Sequence, residues 1–327
     1  MKSMGIAGTG SYLPPKVMTN QDWTKYVETS DEWIFSKTGI KERRIAEPDV
    51  CTSDLAVKAA EAALKDAGVT AEELDLIILA TSSPDISLSA TAPIVQAKLG
   101  AANAGAFDVG NVCSGFVYAL EAGARMGAGG LKNILIVGAE TYSRILNWGD
   151  RTTCVFFGDG AGAVVLREAA KGTGVLGSYL RADGRGCKVI EIPAGGVKMP
   201  ITHEVIDKGL QYLFMDGKAV WDFATVALPE AVRAVLKKCD LTLEDLDLIF
   251  PHQSNVNIIK FSMDALGLPM EKVYVNLHRV GNTAGASIPI ALDEAAREGR
   301  IRKGDIVVTV GYGGGLAWGA NAIRWGK

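Results

Sequence analysis

The chain has 327 residues and a mass of 34.5 kDa, a length that accommodates about two domains of ordinary size. Hydrophobic residues at 48% and charged residues at 22% exclude a disordered chain, and a net charge of -3 with a pI near 5.8 argues against a nucleic-acid partner. No run approaches the roughly 20 apolar residues of a membrane span, and Met1 to Pro15 lacks the apolar centre of a signal peptide, so a soluble cytoplasmic protein is expected.

In chain order, Leu55–Ala67 reads as a helix closed by Gly68. Leu76–Thr81 is a short apolar run of the kind covered on both faces of a sheet. Ala92–Leu99 is helical up to Gly100, Ala104–Val109 a strand, Phe116–Met126 a buried helix and Asn133–Gly138 a further strand. Val155–Leu166 reads as a hairpin or paired strands around a glycine-rich turn. This alternation predicts an α/β fold with helices covering the sheet.

The second half repeats the first. Ala59–Ile77 aligns without a gap on Ala231–Ile249, 172 positions on, with 10 of 19 residues identical. Gly110-Asn111 corresponds to Gly281-Asn282, and Ile134–Gly138 to Val307–Gly311. Two similar halves are predicted, residues 1–170 and 171–327, with Lys171–Gly177 as the crossover. Asp22–Pro48 and Leu176–Phe214 have no internal counterpart and are expected to shape a binding site.

Five cysteines are widely spaced without a C-x-x-C, which disfavours a disulfide framework and a zinc site. Cys51, Cys154, Cys187 and Cys239 receive no role. Cys113, in Gly110-Asn111-Val112-Cys113-Ser114-Gly115, lies between a strand and a helix start, where the helix dipole lowers a thiol's pKa. That is a nucleophile's position, although a small buried hydrophobe is the plainer alternative. Of three histidines, His252 follows the second copy of the Leu-Asp-Leu-Ile strand, where ligands gather in α/β sheets; a structural histidine remains open there. His203 and His278 lack that placement. Asn282 precedes a helix-like run, Ile288–Arg297, and an N-cap would also explain it. The glycine loops Gly8-Thr9-Gly10, Gly158-Asp159-Gly160-Ala161-Gly162 and Gly313-Gly314-Gly315 complete neither a dinucleotide fingerprint nor a P-loop. Close approach and exposed backbone N–H groups at a site are the better use for them.

Taken together, Gly8–Pro14, TSDEWI at 29–34, TGI at 38–40 with Arg43-Arg44, the Cys113 block, FGDGAGA at 157–163, PHQ-x-N at 251–255, GNT at 281–283 and GGGLAWG at 313–319 resemble the bacterial 3-oxoacyl-[acyl-carrier-protein] synthase III family of thiolase-like condensing enzymes. The resemblance runs from Gly5 to Trp325. It implies a five-layer α/β/α/β/α thiolase-like fold, a homodimer, and a decarboxylative Claisen condensation of an acyl-CoA starter with a malonyl thioester to begin fatty-acid synthesis. It makes Cys113 the acyl-accepting nucleophile, His252 and Asn282 the pair that receives the malonyl group, and the N–H groups of Cys113 and Gly314 the oxyanion hole. Thr29, Trp33, Lys37, Arg151, Gly217, Trp221 and Asn255 become the CoA site, and Leu88, Phe157 and Tyr312 the acyl pocket. No metal or redox cofactor is implied; CoA thioesters are substrates.

The chain departs from the family pattern at several places. Lys37 replaces an Arg; Leu88 and Tyr312 stand where Phe is common, Leu88 reaching in from the partner subunit. The face on which relatives carry Lys or Arg for the acyl carrier protein reads Asp222, Asn257, Asp264 and Ala265. An enzyme of secondary metabolism working on CoA thioesters, or an acyltransferase without condensation, is therefore the alternative. A nucleotide-dependent dehydrogenase is disfavoured by the incomplete glycine motifs.

Overall fold

The computed structural model describes residues 2–327. The first sheet has five strands in the order Met4–Tyr12, Gly160–Glu168, Ile134–Glu140, Leu76–Ala80, Gly105–Val109. The second has four in the order Gly174–Ala182, Ala317–Arg324, Ile306–Gly313, Leu248–Pro251. Leu76–Ala80 runs parallel to both of its neighbours, and Leu248–Pro251 runs parallel to Ile306–Gly313. Beyond Leu248–Pro251, a single parallel bridge from Ile249 to Val273 stands where the first sheet has its fifth strand.

Helices fill three layers around these sheets. Gly115–Ala128 and Ser287–Arg297 lie between them, where Phe116, Leu120, Ile288 and Leu292 share one core with Ile78 and Ile136 of the first sheet and Phe250 and Val307 of the second. Thr52–Ala67 covers the outside of the first sheet; Gly217–Lys238 and Val256–Leu266 cover the outside of the second. The result is the five-layer α/β/α/β/α arrangement of the thiolase-like fold.

Local sequence accounts for the outer helix. Asp54 accepts from the Cys51 N–H at 2.8 Å at its start, and Gly68 closes it at φ 62°. Leu55, Ala56, Ala59, Ala60, Ala63 and Leu64 bury the inward stripe. Complete burial of each leucine stabilises the fold by about 1.5–3 kcal/mol.

Three sequence expectations are corrected. Residues 155–166 form no hairpin: Gly160–Glu168 is one strand between Met4–Tyr12 and Ile134–Glu140. Gly162 of this strand, and Gly8 and Gly10 of the first, serve helix–sheet packing rather than a thioester site. A Cβ at Gly10 would lie 2.3 Å from the Ala63 nitrogen, and one at Gly162 would lie 2.4 Å from the Ile290 nitrogen. The segment Leu176–Phe214 is also not wholly an excursion. Residues up to Ala182 form the edge strand of the second sheet, the counterpart of Met4–Tyr12 in the first. Its sequence has diverged, but its hydrogen-bonded place has not.

Candidate active site

Cys113 sits in the short turn Val112–Ser114 that leads into helix Gly115–Ala128. Val112 holds φ 46°, a left-handed conformation costly for a β-branched side chain. It turns the chain sharply enough to place Cys113 against the end of strand Ile306–Gly313. A Cβ at Gly313 would lie 2.7 Å from Cys113 Cβ and 3.1 Å from its Sγ, and one at Gly311 would lie 2.7 Å from Ser114 Cα. Here close approach does demand glycine. Gly313 thus lies against Cys113, with Gly314 one residue further on, beside Val112 and Ile190. Among the described residues, neither the Cys113 nor the Gly314 N–H takes part in a backbone hydrogen bond.

The expected lowering of the Cys113 pKa by the helix start is not what the surroundings produce. Burial pushes the thiol well above its ordinary value, and the Glu140 carboxyl adds to the rise. His252 is shifted the other way, down to about 3, also by burial. In the resting protein the two groups are therefore a neutral thiol and a neutral imidazole.

Hydrogen bonding leaves His252 Nε2 as the free ring nitrogen, since Nδ1 lies 2.8 Å from Ser287 Oγ. When Ser287 Oγ donates to the Ala284 carbonyl at 2.9 Å, the imidazole is the donor in that contact. The neutral ring then carries its proton on Nδ1, and Nε2 is a bare acceptor. The His252 main chain is tied down as well: its N–H donates to Val310 O at 2.7 Å, and its carbonyl accepts from the Tyr312 hydroxyl at 3.2 Å. Tyr312 also bonds Ser254 Oγ at 2.9 Å, and its ring meets the His252 ring edge-on at 5.3 Å.

Asn282 is oriented by the same logic. Its N–H donates to Phe156 O at 2.9 Å, and its carbonyl accepts from Gly158 N–H at 3.0 Å, which sets it beside Phe157. Its Oδ1 accepts from the Ala284 N–H at 2.9 Å, leaving the side-chain NH2 as the end available to a ligand. Cys113, His252 and Asn282 line one buried pocket with Phe157, Tyr142 and Tyr312.

The other residues singled out from sequence are not part of that pocket's lining. Arg151 lies over the Trp33 ring at 4.7 Å and donates to Glu28 O at 2.7 Å. Thr29 Oγ1 is buried with no partner. Asn255 caps helix Val256–Leu266 and donates to the Lys37 carbonyl at 2.9 Å, so the Lys37 contribution shown is its main chain. Gly217 opens helix Gly217–Lys238, and Trp221, one turn on, packs edge-on against Phe261 at 6.0 Å. Leu88 is not in the pocket of its own chain: its side chain is 87% exposed on the loop after Leu76–Ala80. His203 opens the short helix His203–Asp207 and His278 lies on Leu277–Val280; neither lines the pocket. On the atypical face, Lys218 pairs with Asp222 at 2.6 Å, Asn257 donates to Lys37 O at 3.1 Å, and Arg233 donates to Ala265 O at 2.6 Å. Asp264 is exposed.

Sequence reasoning did not find Ser287, which holds the imidazole, or Glu140 and Ser82 behind the nucleophile. Ser287 acts on a residue 35 positions away, a distance no local spacing rule spans.

Comparison with known proteins identifies the family. Residues 107–184 match the family described as 3-oxoacyl-[acyl-carrier-protein (ACP)] synthase III, and residues 236–325 match its C-terminal part. The β-ketoacyl-[acyl-carrier-protein] synthase III of Caldanaerobacter subterraneus subsp. tengcongensis is 53% identical over 99% of this chain and 98% of its own. The chain belongs to the 3-oxoacyl-[acyl-carrier-protein] synthase III family. The relative of the same name from Symbiobacterium thermophilum is 49% identical over 100% of this chain and 99% of its own. The crystal structure of 3-oxoacyl-[acyl-carrier-protein] synthase III from Aquifex aeolicus VF5 superposes with a TM-score of 0.91 at 43% identity, covering 98% of this chain and 100% of that one. In this synthase III family member the pocket is lined by residues from both halves of the chain. No helix of the described residues is long and apolar enough to cross a membrane.

Proposed function

We propose that the protein joins an acyl-CoA starter to a malonyl thioester carried by acyl carrier protein, with loss of CO2, and so begins fatty-acid synthesis. The observation that carries this reading is the convergence of Cys113 with the free Nε2 of His252 and the free amide NH2 of Asn282 in one buried pocket.

In the first step Cys113 Sγ attacks the thioester carbonyl while its proton passes to His252 Nε2, because neither group ionises alone at this depth. The N–H groups of Cys113 and Gly314 hold the oxyanion. CoA leaves as a thiolate and takes the proton back from His252, which leaves a neutral ring. The malonyl thioester oxygen then accepts from Asn282 Nδ2 and from His252 Nε2, with the ring's proton on Nε2 and Ser287 Oγ donating to Nδ1. C–C cleavage releases CO2 and leaves an enolate held by those two donors. Its carbon attacks the acyl group on Cys113, and the departing thiolate takes a proton from solvent. A neutral amide cannot move protons, which suits Asn282 to this stabilising role alone.

The CoA arm is assigned to residues outside the pocket. Trp33 and Arg151 offer two flat faces for the adenine, and unpaired Thr29 Oγ1 offers a hydrogen bond to the ligand. Lys37, Gly217, Trp221 and Asn255 are assigned to the same arm. Carrier-protein docking is supported despite Asp264, because Lys218 offsets Asp222 and the exposed Lys260 and Arg233 lie on the same two helices. A homodimer is supported by the exposed Leu88 and Ile86 and by the edge position of strand Gly105–Val109.

The test is a two-stage assay. Intact mass after exposure to a short acyl-CoA should show one acyl adduct, absent in Cys113→Ala, and malonyl-carrier protein should then discharge it with release of CO2. An undiminished adduct in Cys113→Ala overturns the nucleophile assignment. Discharge by malonyl-CoA and never by malonyl-carrier protein removes the carrier protein from the reaction.

A further inference from the structure

Glu140 ends the strand Ile134–Glu140, two residues beyond Gly138; Gly313 stands at the matching place in the second half, two residues beyond Gly311. Gly313 leaves room for Cys113 on the turn it faces. Glu140 does the reverse: it places a carboxyl against Gly285, the glycine of its facing turn. A Cβ at Gly285 would lie 3.0 Å from Glu140 Oε1, 3.3 Å from the Val112 carbonyl oxygen and 3.6 Å from that of Ala80.

The carboxyl is fully buried and firmly braced. The Ser82 N–H donates to it at 3.1 Å, Ser82 Oγ at 3.0 Å, Ser83 Oγ at 2.6 Å and Thr81 Oγ1 at 3.2 Å. All four donors belong to the segment that follows strand Leu76–Ala80 in the first half. Glu140 cannot retreat from Gly285 without leaving these buried donors unpartnered. It does not line the Cys113 pocket, so it acts on the reaction only through other residues.

Gly285 is the middle residue of the turn Ala284–Ala286. Just before it, the Ala284 N–H donates to Asn282 Oδ1 at 2.9 Å. Just after it, Ser287 Oγ lies 2.9 Å from the Ala284 carbonyl oxygen and 2.8 Å from His252 Nδ1. A shift of this turn therefore reaches both groups assigned to the malonyl thioester. It reaches Asn282 more directly, because the His252 main chain has its own ties to Val310 and Tyr312.

We infer that Glu140 is a positioning residue: braced on Thr81–Ser83, it props Gly285 and so aims the Asn282 amide, and through Ser287 the His252 ring, for the decarboxylation step. The inference rests on the assignment of that step to Asn282 and His252. No bond to Glu140 forms or breaks.

The experiment follows the two steps separately. Adduct formation on Cys113 is read by intact mass, and CO2 release is timed from the acylated protein over a range of malonyl-carrier protein. Glu140→Asp keeps the charge and draws the carboxyl one methylene back from Gly285. It should lower the saturated rate of CO2 release by about 10²-fold with KM within about threefold of wild type, and slow acylation at least about tenfold less than that. Gly285→Ala presses on the carboxyl from the other side and should slow CO2 release by about tenfold. The double variant should regain most of the lost CO2 release, because the shorter acid makes room for the methyl. A merely structural prop would lower acylation and CO2 release in parallel, and that result overturns the inference. Wild-type CO2 release in a folded Glu140→Asp overturns it too. Should Glu140→Asp fail to fold, Gly285→Ala decides alone: equal losses in the two steps count against the prop, and a selective loss of CO2 release supports it. A wild-type protein that takes the acyl group yet never releases CO2 would instead refute the condensation itself, a distinguishable failure.

Discussion

At Val112 and at Ala284 the backbone makes the same left-handed step, φ 46° and 43°, each just inside a short turn that leads into one of the two central helices. Each turn presses on a strand glycine of the other half. A Cβ at Gly311 would strike Ser114, and one at Gly138 would lie 2.4 Å from the Gly285 carbonyl oxygen. The side chains then diverge. After Val112 comes Cys113, facing Gly313; after Ala284 comes Gly285, facing the carboxylate of Glu140. One turn carries the proposed nucleophile over a strand end, while beside the other lies Glu140 with Ser82 and Ser83. The duplication built the geometry twice and the chemistry once. The second turn still contributes, because it orients Asn282 and, through Ser287, His252 towards the first.

The sharpest way to break this comparison is at His252, which the second turn holds towards the first through Ser287. His252→Ala should slow both acylation and condensation by about 10²–10⁴-fold, since one nitrogen serves as proton acceptor first and donor later. Unchanged acylation with lost condensation would confine the imidazole to the malonyl step. The paired strand glycines come next. Gly311→Ala and Gly138→Ala should each cost about 1–3 kcal/mol in denaturant titrations, because the added methyl meets backbone. Only Gly311→Ala should also misplace Cys113, lowering the acylation rate by about 10²-fold. Equal acylation losses in both would mean that the two contacts are not distinct in role.

The last prediction concerns the filled side. Burial raises the Glu140 pKa to about 7 from an ordinary 4.5. The folded protein therefore binds this proton more tightly than the unfolded chain, and stability should fall as pH rises from about 4.5 to about 7, by an amount on the order of a few kcal/mol at most. Glu140→Gln should flatten that slope in urea titrations across the same range. An unaltered slope would show that the carboxyl titrates normally.

Much of the halves' architecture was legible in the sequence because Ala59–Ile77 and Ala231–Ile249 preserve both the helix stripe and the buried strand. The edge strand Gly174–Ala182 was not, because main-chain bonds to Ala317–Arg324 hold it in place whatever its side chains. Cys113, His252 and Asn282 could be picked out by their places at strand ends and helix starts. Their charge states could not, since burial, which outweighs the helix start at Cys113, is created only when the halves pack. Most of the glycines near motifs pointed the wrong way for a related reason: Gly8, Gly10 and Gly162 answer to helices far off in sequence.

The division of labour between the two turns is tested most directly by Asn282→Ala in single turnover, with acyl adduct and released CO2 followed together. Acylation of Cys113 at close to the wild-type rate, followed by an adduct that persists because decarboxylation has slowed by about 10²–10³-fold, is the predicted result. Loss of acylation itself, or CO2 release at the wild-type rate, would contradict the assignment of the free Asn282 amide to the enolate.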